Sequence, residues 1–265
     1  MKSLLHSKNS LVLMRVILVL SGKGGVGKSS VACNVSRALV AQGLKIGLLD
    51  IDLSGPSIPR MLGKEDCSVM QSEKGWLPVR LEPNFFIMSI GFLLSSRNDA
   101  VIWRGPKKHS MINQFINDVV WGDLDYLIVD TPPGTSDEHI TIVQCLNQTL
   151  IAGAVLVTTP QAVSVADVQR EISFCKKLSV PILGVIENMS GYKCTNCSTI
   201  ANIFSSGGGE SLATIKNIPF LGRIPIDPQI ALAGDNGTNF FEKSSTEMST
   251  IFYDIVKAIL ANITN

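Results

Sequence analysis

The six cysteines of this 265-residue chain include only one close pair, Cys194 and Cys197, in the stretch YKCTNCST. Cysteine thiolates bind zinc and iron–sulfur clusters, and a closed site of either kind usually needs four protein ligands. The pair is therefore half of a metal site, a redox dithiol, or two inert thiols. A redox pair typically opens a helix near the start of a βαβ unit, whereas this pair lies late in the chain among polar residues. The pattern thus disfavours redox use and raises the question of where a second pair would come from.

A second chemical signature is the glycine-rich stretch SGKGGVGKSS, which fits the phosphate-loop pattern G-x-x-x-x-G-K-[ST]. Backbone N–H groups of such a loop surround a phosphate, and the N-terminus of the following helix adds a favourable potential. We expect Lys28 to contact the β- and γ-phosphates and the Ser29 hydroxyl to ligate Mg²⁺. The predicted nucleotide-binding residues of the loop are Gly22, Lys23, Gly24, Gly25, Val26, Gly27, Lys28, Ser29 and Ser30.

Carboxylates follow two further apolar segments. Asp50 and Asp52 lie in LLDIDLSGPS, and Asp130 follows YLIV in a stretch that continues TPPGTSDE. Asp130 has the pattern of a Walker B aspartate, which holds Mg²⁺ through water. Asp50 and Asp52 can orient waters around the ion, including the attacking water. For Asp50, a role as a helix cap or turn residue is an equally good interpretation.

These groups require a regular framework to bring them together. Short apolar runs alternate with helical patterns, and runs that are apolar throughout are typical of strands covered on both faces. Strands are expected at 16–20, 45–49, 85–90, 126–129, 153–158, 181–186 and 218–222. Helices are expected at 28–41, 107–119, 136–150, 164–178 and 246–263, the first closed by Gly43. The alternation predicts an α/β fold with a doubly wound, mostly parallel sheet that binds ligands at the C-terminal strand ends.

We expect one domain over residues 1–265, with residues 1–14 flexible and a loop at 205–210. Hydrophobic residues make up 45% and the formal net charge is +1, which argues against a protein built mainly to hold nucleic acid or an anionic membrane. The scattered remaining cysteines fit a reducing compartment. The apolar run at 11–20 is broken by Arg15 and is too short to span a bilayer. A cytoplasmic location is therefore expected, with an N-terminal transit peptide as the less favoured alternative.

The stretch KGGVGKS resembles the deviant phosphate loop of the MinD/ParA-like ATPases. The resemblance implies a dimer with two nucleotides at its interface, in which Lys23 contacts the phosphates bound to the partner subunit. It also implies catalytic roles for Lys23, Lys28 and Asp52, with Asp52 as the switch aspartate that positions the nucleophile and assists the Mg²⁺ site.

The base of the nucleotide is predicted to be adenine. Asn188 follows a strand end in GVIENMS, where its amide can read the amino group and a ring nitrogen of adenine, and the guanine-reading pattern N-K-x-D is absent. The stretch RIPIDP resembles the base-flanking loop of the same group, which makes Pro225 and Asp227 further candidates. ATP is therefore favoured over GTP.

A dimer offers an answer to the question of the second cysteine pair, because two chains supply four thiolates at their two-fold axis. Four thiolates suit either a [4Fe–4S] cluster or zinc, and ligand count does not separate them. Stretches from about residue 16 to 235, among them LSGKGGVGKSS, LLDIDLSGPSIPRMLG, VLVTTPQAVSVADV, PILGVIENMSGYKC and PFLGRIPIDP, resemble the Mrp/Nbp family of iron–sulfur cluster scaffold ATPases. The resemblance implies that Cys194 and Cys197, in a segment at 190–210 near the dimer axis, bind a labile bridging [4Fe–4S] cluster that passes to apoproteins.

Within that family the chain looks most like the short cytosolic Cfd type, since it has no cysteine before Cys33 and so lacks the N-terminal cluster site of the longer Nbp type. The implied partners are a second copy or a longer Nbp-type ATPase, apo iron–sulfur proteins and late-acting assembly factors, with no nucleic acid and no membrane.

Relatives often carry a further cysteine where this chain has Ile200. Two other functions remain open: a MinD/ParA-like positioning ATPase, and a zinc-stapled dimeric ATPase without cluster chemistry. The cluster VIWRGPKKHS, with Trp103, Arg104, Lys107 and Lys108, is either a solvated helix start or a partner surface.

Overall fold

The computed structural model describes residues 14–53, 55–93, 105–146, 148–194, 197, 199–243 and 247–264. The strands are β1 (Arg15–Leu20), β2 (Ile46–Asp50), β3 (Met70–Ser72), β4 (Gly75–Leu77), β5 (Val79–Glu82), β6 (Phe85–Ser89), β7 (Tyr126–Asp130), β8 (Ile151–Thr158), β9 (Ile182–Lys193), β10 (Ile200–Ala201) and β11 (Phe220–Ile226). The helices are α1 (Lys28–Ala41), α2 (Ile58–Met61), α3 (Gly105–Asn117), α4 (Asp137–Cys145), α5 (Ala162–Lys177), α6 (Gly208–Lys216), α7 (Pro228–Asp235) and α8 (Glu247–Thr264). Short 3₁₀ turns lie at Ile90–Leu93, Gln148–Leu150 and Phe240–Lys243.

The main sheet runs in the order β10-β9-β8-β1-β7-β2-β6-β5, and β11 also pairs with β9. All pairings among β11, β9, β8, β1, β7, β2 and β6 are parallel, whereas β5 and β10 pair antiparallel at the edges. The strands β1, β2, β7, β9 and β11 therefore all end at the same edge of the sheet. That edge is where an open parallel sheet binds its ligand.

The alternation of side chains along β1 explains why helices cover both faces. Val16, Leu18 and Leu20 point into one buried cluster, with side chains of α3, α4, α5 and α6. Ile17 and Val19 point into the other, with side chains of α1 and α8. Because successive side chains on a strand face opposite sides, a strand that is apolar at every position needs a core on each side.

The predicted fold class, an α/β fold with a doubly wound and mostly parallel sheet, is confirmed by this topology. Every predicted strand and helix overlaps an observed one, and Gly43 has the positive φ of 87° that ends a helix. The bounds differ most at the helix expected over 136–150, which ends at Cys145, and at the strand expected over 181–186, which continues to Lys193.

Part of the stretch predicted as a loop at 205–210 is instead the start of α6 at Gly208. Its three glycines suggested mobility, but buried contacts described below fix the first turn. The elements α2, α6, α7, β3 to β5 and β10 were not predicted, since they are short and carry little periodic signal. The expectation of flexibility at 1–14 lies outside the described residues except for Met14, which is buried. Trp103 and Arg104 also lie outside the described residues. No helix in the described part of the chain has both the length and the apolar composition to cross a membrane.

Candidate functional site

A cavity of about 770 Å³ opens at the C-terminal edge of the sheet. Most residues that the sequence predicted for nucleotide binding line it, namely Lys23, Gly24, Gly25, Val26, Gly27, Lys28, Ser29, Ser30, Asp52, Asn188, Pro225 and Asp227. Gly22 and Asp130 are not part of the lining. Gly22 packs against α5, where an added Cβ would lie 2.5 Å from the backbone carbon of Asp167. Asp130 is completely buried behind Lys28.

The phosphate loop takes the conformation that its glycines permit. Gly27 caps α1 with a φ of 78°, a left-handed conformation that side chains with a Cβ rarely adopt. A Cβ at this position would also lie 2.3 Å from the Asn188 side-chain nitrogen, so the loop has no room for one. The phosphate loop also lies against the loop after β7, because the Gly134 N–H donates to the Ser21 carbonyl over 2.8 Å.

Lys28 holds a buried ion pair at the base of this loop. Its Nζ lies 2.5 Å from Asp130 Oδ1, and the two side chains are 6% and 0% exposed. Asp50, also fully buried, stands opposite Asp130 on the adjacent strand. Burial raises the pKa of both carboxyls, and the charge of Asp130 raises that of Asp50 further. One lysine therefore faces two carboxyl groups. Two carboxylates carry more negative charge than one ammonium group can balance, unless a proton or a further cation is present.

The chemistry of the site fits the predicted Mg²⁺. Asp130 Oδ2 is buried and has no hydrogen-bond partner among the described residues, so one acceptor is left over at this position. Carboxylate and hydroxyl oxygens are the ligands that Mg²⁺ prefers, usually with several of its waters retained. Ser29 and Asp52 line the cavity together with Lys28. Ser29, Asp52 and Asp130 are the residues that the sequence predicted for the ion.

Asp50 anchors the segment that follows β2. Its Oδ1 accepts from the backbone N–H of Asp52 over 3.1 Å, and its Oδ2 accepts from the Ser89 hydroxyl over 3.0 Å and from the Ile58 N–H over 3.4 Å. The turn-and-cap interpretation of Asp50 is thus supported by its contacts. The same contacts position Asp52, whose half-exposed side chain reaches the cavity.

The loop after β7 is fixed at both ends. The Thr131 hydroxyl donates to the Val19 carbonyl over 2.8 Å, and at the other end Ser136 and His139 form a capping box at the start of α4. His139 Nδ1 accepts from the Ser136 N–H over 3.1 Å, which places the ring proton on Nε2. Burial lowers the pKa of His139 to about 4, so the ring is neutral at pH 7. The sequence analysis missed His139, although its spacing three residues after a serine is that of a capping box.

The residues predicted for the base lie together on the wall of the cavity. The Asn188 amide nitrogen donates one of its two N–H groups to the Val26 carbonyl of the phosphate loop over 2.8 Å. Asp227 caps α7 by accepting from the Gln229 N–H over 2.8 Å. Apolar side chains complete the wall, and the sequence analysis named none of them: Met61, Met189, Phe204, Ile230 and Phe252.

The cysteine pair lies on the hairpin between β9 and β10 at the edge of the sheet. The strand β9 continues past the cavity and pairs with β10, and the Cys194 N–H donates to the Thr199 carbonyl over 2.9 Å. Cys197 is exposed and Cys194 is half-buried. Hydrogen bonds from Thr199, and then from Cys194, lower the pKa of the Cys197 thiol. Among the described residues no group of three or more His, Cys, Asp or Glu side chains is placed to hold a metal ion.

Two further positions named in the sequence analysis lie apart from the cavity. Ile200, where relatives often carry a cysteine, is 65% exposed on β10 and pairs with Lys193. Lys108 forms an ion pair with Glu138 over 2.6 Å, which ties the first turns of α3 and α4 together.

Comparison with protein families gives a match over almost the whole chain. Residues 13–260 match the model of a ParA family described as "NUBPL iron-transfer P-loop NTPase". A protein of Trichoplax adhaerens named "Cytosolic Fe-S cluster assembly factor NUBP2 homolog" is 54% identical over 250 residues, which cover 93% of this chain and 94% of that protein. The "Cytosolic Fe-S cluster assembly factor CFD1" of Yarrowia lipolytica is 58% identical over 245 residues, covering 91% and 84%.

Solved structures show the same architecture. The nucleotide-binding protein of Archaeoglobus fulgidus, determined in complex with ADP, superposes with a TM-score of 0.76 at 36% identity over 90% of this chain and 91% of that one. The septum site-determining protein MinD of Pyrococcus horikoshii, complexed with Mg-ADP, has a TM-score of 0.67 at 23% identity and covers 95% and 99%. The second likeness concerns the fold alone.

Proposed function

The chain belongs to the ParA-type family of iron-transfer P-loop NTPases, and from this premise we propose that it is an ATP-dependent scaffold that assembles a [4Fe–4S] cluster between two subunits and passes it to apoproteins. Membership confirms the family resemblance that the sequence motifs predicted, and it makes the chain a P-loop NTPase. The cluster is the cargo of this cycle. The whole chain acts as one ATPase domain.

The observation that carries the proposal is a pair of thiols, at least one of them at the surface, with no further metal-ligating side chain beside it in the part of the ATPase that the structure describes. Cys197 is exposed, Cys194 is half-buried, and the described residues supply no third side chain for a metal. Four-coordinate iron or zinc then needs a second chain, and a two-fold axis supplies an identical pair. Thiols at an accessible surface suit a cluster that must be given up, since a cluster sealed in a core cannot reach an acceptor.

The nucleotide site supports a cycle in which Lys28 has two partners. In the structure its ammonium group pairs with Asp130. Lys28 would also contact the β- and γ-phosphates of ATP, and Ser29, Asp52 and Asp130 would hold Mg²⁺, which would offset the charge of the phosphates. Lys23 reaches the phosphates bound to the partner subunit, and Asp52 orients the attacking water. Asn188, Pro225 and Asp227 flank adenine, where the Asn188 amide can keep its bond to the Val26 carbonyl and present its second N–H and its oxygen to the base.

The partners and location follow from the relatives. Two of these are named as cytosolic Fe–S cluster assembly factors, so we propose that the chain works in the cytosol as a homodimer or with a longer Nbp-type ATPase. Its acceptors are apo iron–sulfur proteins, reached directly or through late-acting assembly factors. A positioning role of the MinD type is not favoured by any residue described here, since that likeness concerns the fold alone.

Anaerobic reconstitution with iron and sulfide tests the proposal. We expect a brown protein with broad absorption near about 400 nm, about four iron atoms per two chains, and transfer of the cluster to an apo-ferredoxin in solution. Native mass spectrometry gives the stoichiometry. A colourless protein that retains zinc in preference to iron would instead support the zinc-stapled dimer.

A further inference from the structure

Glu187 is a fully buried carboxylate beside the nucleotide cavity that the proposed cycle does not use. It stands on β9 next to Asn188, and side chains of successive strand residues point to opposite faces. The Asn188 amide points to the phosphate loop. The Glu187 carboxylate points the other way, to the first turn of α6.

The donors around Glu187 explain how a carboxylate is tolerated there. Its Oε1 accepts from the Ser190 hydroxyl over 2.6 Å and from the Gly207 N–H over 2.9 Å, and its Oε2 accepts from the Gly209 N–H over 2.5 Å. The Arg223 guanidinium lies 3.6 Å from Oε1. The free N–H groups at a helix N-terminus favour a negative charge, so Glu187 acts as an external cap for α6.

These contacts close a loop in the chain. Glu187 and Gly207 are 20 residues apart, and the intervening segment, residues 188–206, carries β10 and both paired cysteines. We call residues 188–206 the cysteine excursion. Glu187 thus fastens β9, at the start of the excursion, to the first turn of α6, at its end.

The cysteine excursion is also a wall of the nucleotide cavity. Met189 lines the cavity on the outgoing arm and Phe204 lines it on the returning arm. Met189 has a φ of 56°, a left-handed conformation that costs free energy for a residue with a side chain and persists only where the surroundings enforce it. Both arms of the excursion therefore border the space that a bound nucleotide would fill.

We propose that Glu187 is the positioning residue that holds the base of the cysteine excursion, so that occupancy of the nucleotide cavity sets the placement of Cys194 and Cys197. The inference rests on the proposed function and adds the residue through which nucleotide and cargo are coupled. With Glu187 in place, movement of Met189 and Phe204 is passed along the excursion to the cysteines. Without its charge, the first turn of α6 loosens and takes up that movement.

Glu187→Gln tests this assignment, because glutamine keeps the volume but turns one acceptor oxygen into a donor that faces the N–H group of either Gly207 or Gly209. The measurement is the rate at which reconstituted protein loses iron to a ferrous chelator, with and without Mg-ATP. Coupling between two sites commonly amounts to about a 5- to 150-fold change. We expect a change of about fivefold or more in the wild type and of less than about twofold in Glu187→Gln, with ATP affinity within about threefold of wild type.

Glu210→Gln is the matched control. Glu210 lies on the same helix and pairs with Arg223, but it is about half exposed and does not touch the cysteine excursion base. It should keep the wild-type response to Mg-ATP. A wild-type response in Glu187→Gln, or a wild-type protein whose iron loss ignores Mg-ATP, overturns the assignment of Glu187.

Hydrogen exchange on the unmodified protein keeps the test valid if the variant does not fold. Addition of Mg-ATP to the cluster-free chain should change the exchange of backbone amides in residues 188–209 as well as in the phosphate loop. A change confined to the phosphate loop would sink the coupling while leaving the scaffold function intact. If the chain holds no cluster but exchange in residues 188–209 still responds to Mg-ATP, the result counts against the scaffold function. The coupling between the nucleotide cavity and the cysteine excursion would then still stand.

Discussion

When wild-type chains are diluted with chains that lack the cysteine pair, the iron that remains bound should be proportional to the square of the wild-type fraction. The variant is Cys194→Ala together with Cys197→Ala. Each chain brings one pair, and no group of three or more metal-ligating side chains exists among its described residues. A mixed dimer therefore retains two thiolates for a cluster that needs four. Only dimers of two wild-type chains should hold iron.

The size of the effect follows from random pairing. With equal amounts of the two chains, about one quarter of the dimers contain two wild-type subunits. Iron should fall to about one quarter of the undiluted value, from about four atoms per dimer to about one on average. Two independent sites, one on each chain, would give about one half. The gap between a quarter and a half is wide enough for elemental analysis to resolve.

The assay mixes cluster-free chains under conditions that allow subunit exchange, reconstitutes them anaerobically with excess iron and sulfide, and measures iron by mass spectrometry. The matched control replaces Cys67, which lies outside the pair, with alanine. Mixing in this variant should cause no loss of bound iron at any ratio. Iron content proportional to the wild-type fraction would refute the shared site. In that case the thiols outside the pair, all free in the structure, would become candidate ligands.

Three further perturbations address the nucleotide site and the core. Lys28→Ala should weaken ATP binding by at least about tenfold, since hydrogen bonds to charged groups are worth about 1.5–3 kcal/mol, and calorimetry on folded protein checks this; unchanged affinity contradicts the phosphate-loop assignment. Asp52→Asn should leave ATP affinity within about threefold but slow steady-state hydrolysis by about 100-fold, and an unaltered rate would remove Asp52 from catalysis. Glu171 is buried with neither carboxyl oxygen partnered among the described residues, and burial raises its pKa from 4.5 to about 7. The folded state thus favours the protonated acid. The free energy of unfolding therefore falls as the pH rises from about 4.5 to about 7. Glu171→Gln should therefore stabilise the protein by about 2 kcal/mol more at pH 8 than at pH 5 in urea unfolding, and an equal effect at both pH values would contradict that protonation.

The sequence alone determined the features that depend on local backbone chemistry. Gly27 and Lys28 specify the phosphate loop because only that spacing lets a loop curl around a phosphate and start a helix. Asp130 was placed at a strand end because an apolar run stops there, and the strand order then puts it beside the loop. The family assignment rested on the same motifs and is confirmed. Cys194 and Cys197 were recognisable as a pair because their spacing is short, but their ligand role stays a prediction.

Only the tertiary structure decided which distant groups share a partner. Lys28 meets Asp130 across 102 residues, and Asp50 turns out to hold the segment after its strand as well as face Asp130. The glycines at 207–209 looked like a loop because a cap supplied from another strand, the Glu187 carboxylate, leaves no local signal in the helix it stabilises. Helix caps within a segment can be read from spacing, whereas a cap from elsewhere depends on how the strands pair. Contacts of that kind are settled by packing, since the sequence pattern records which side chains are available but not which of them meet.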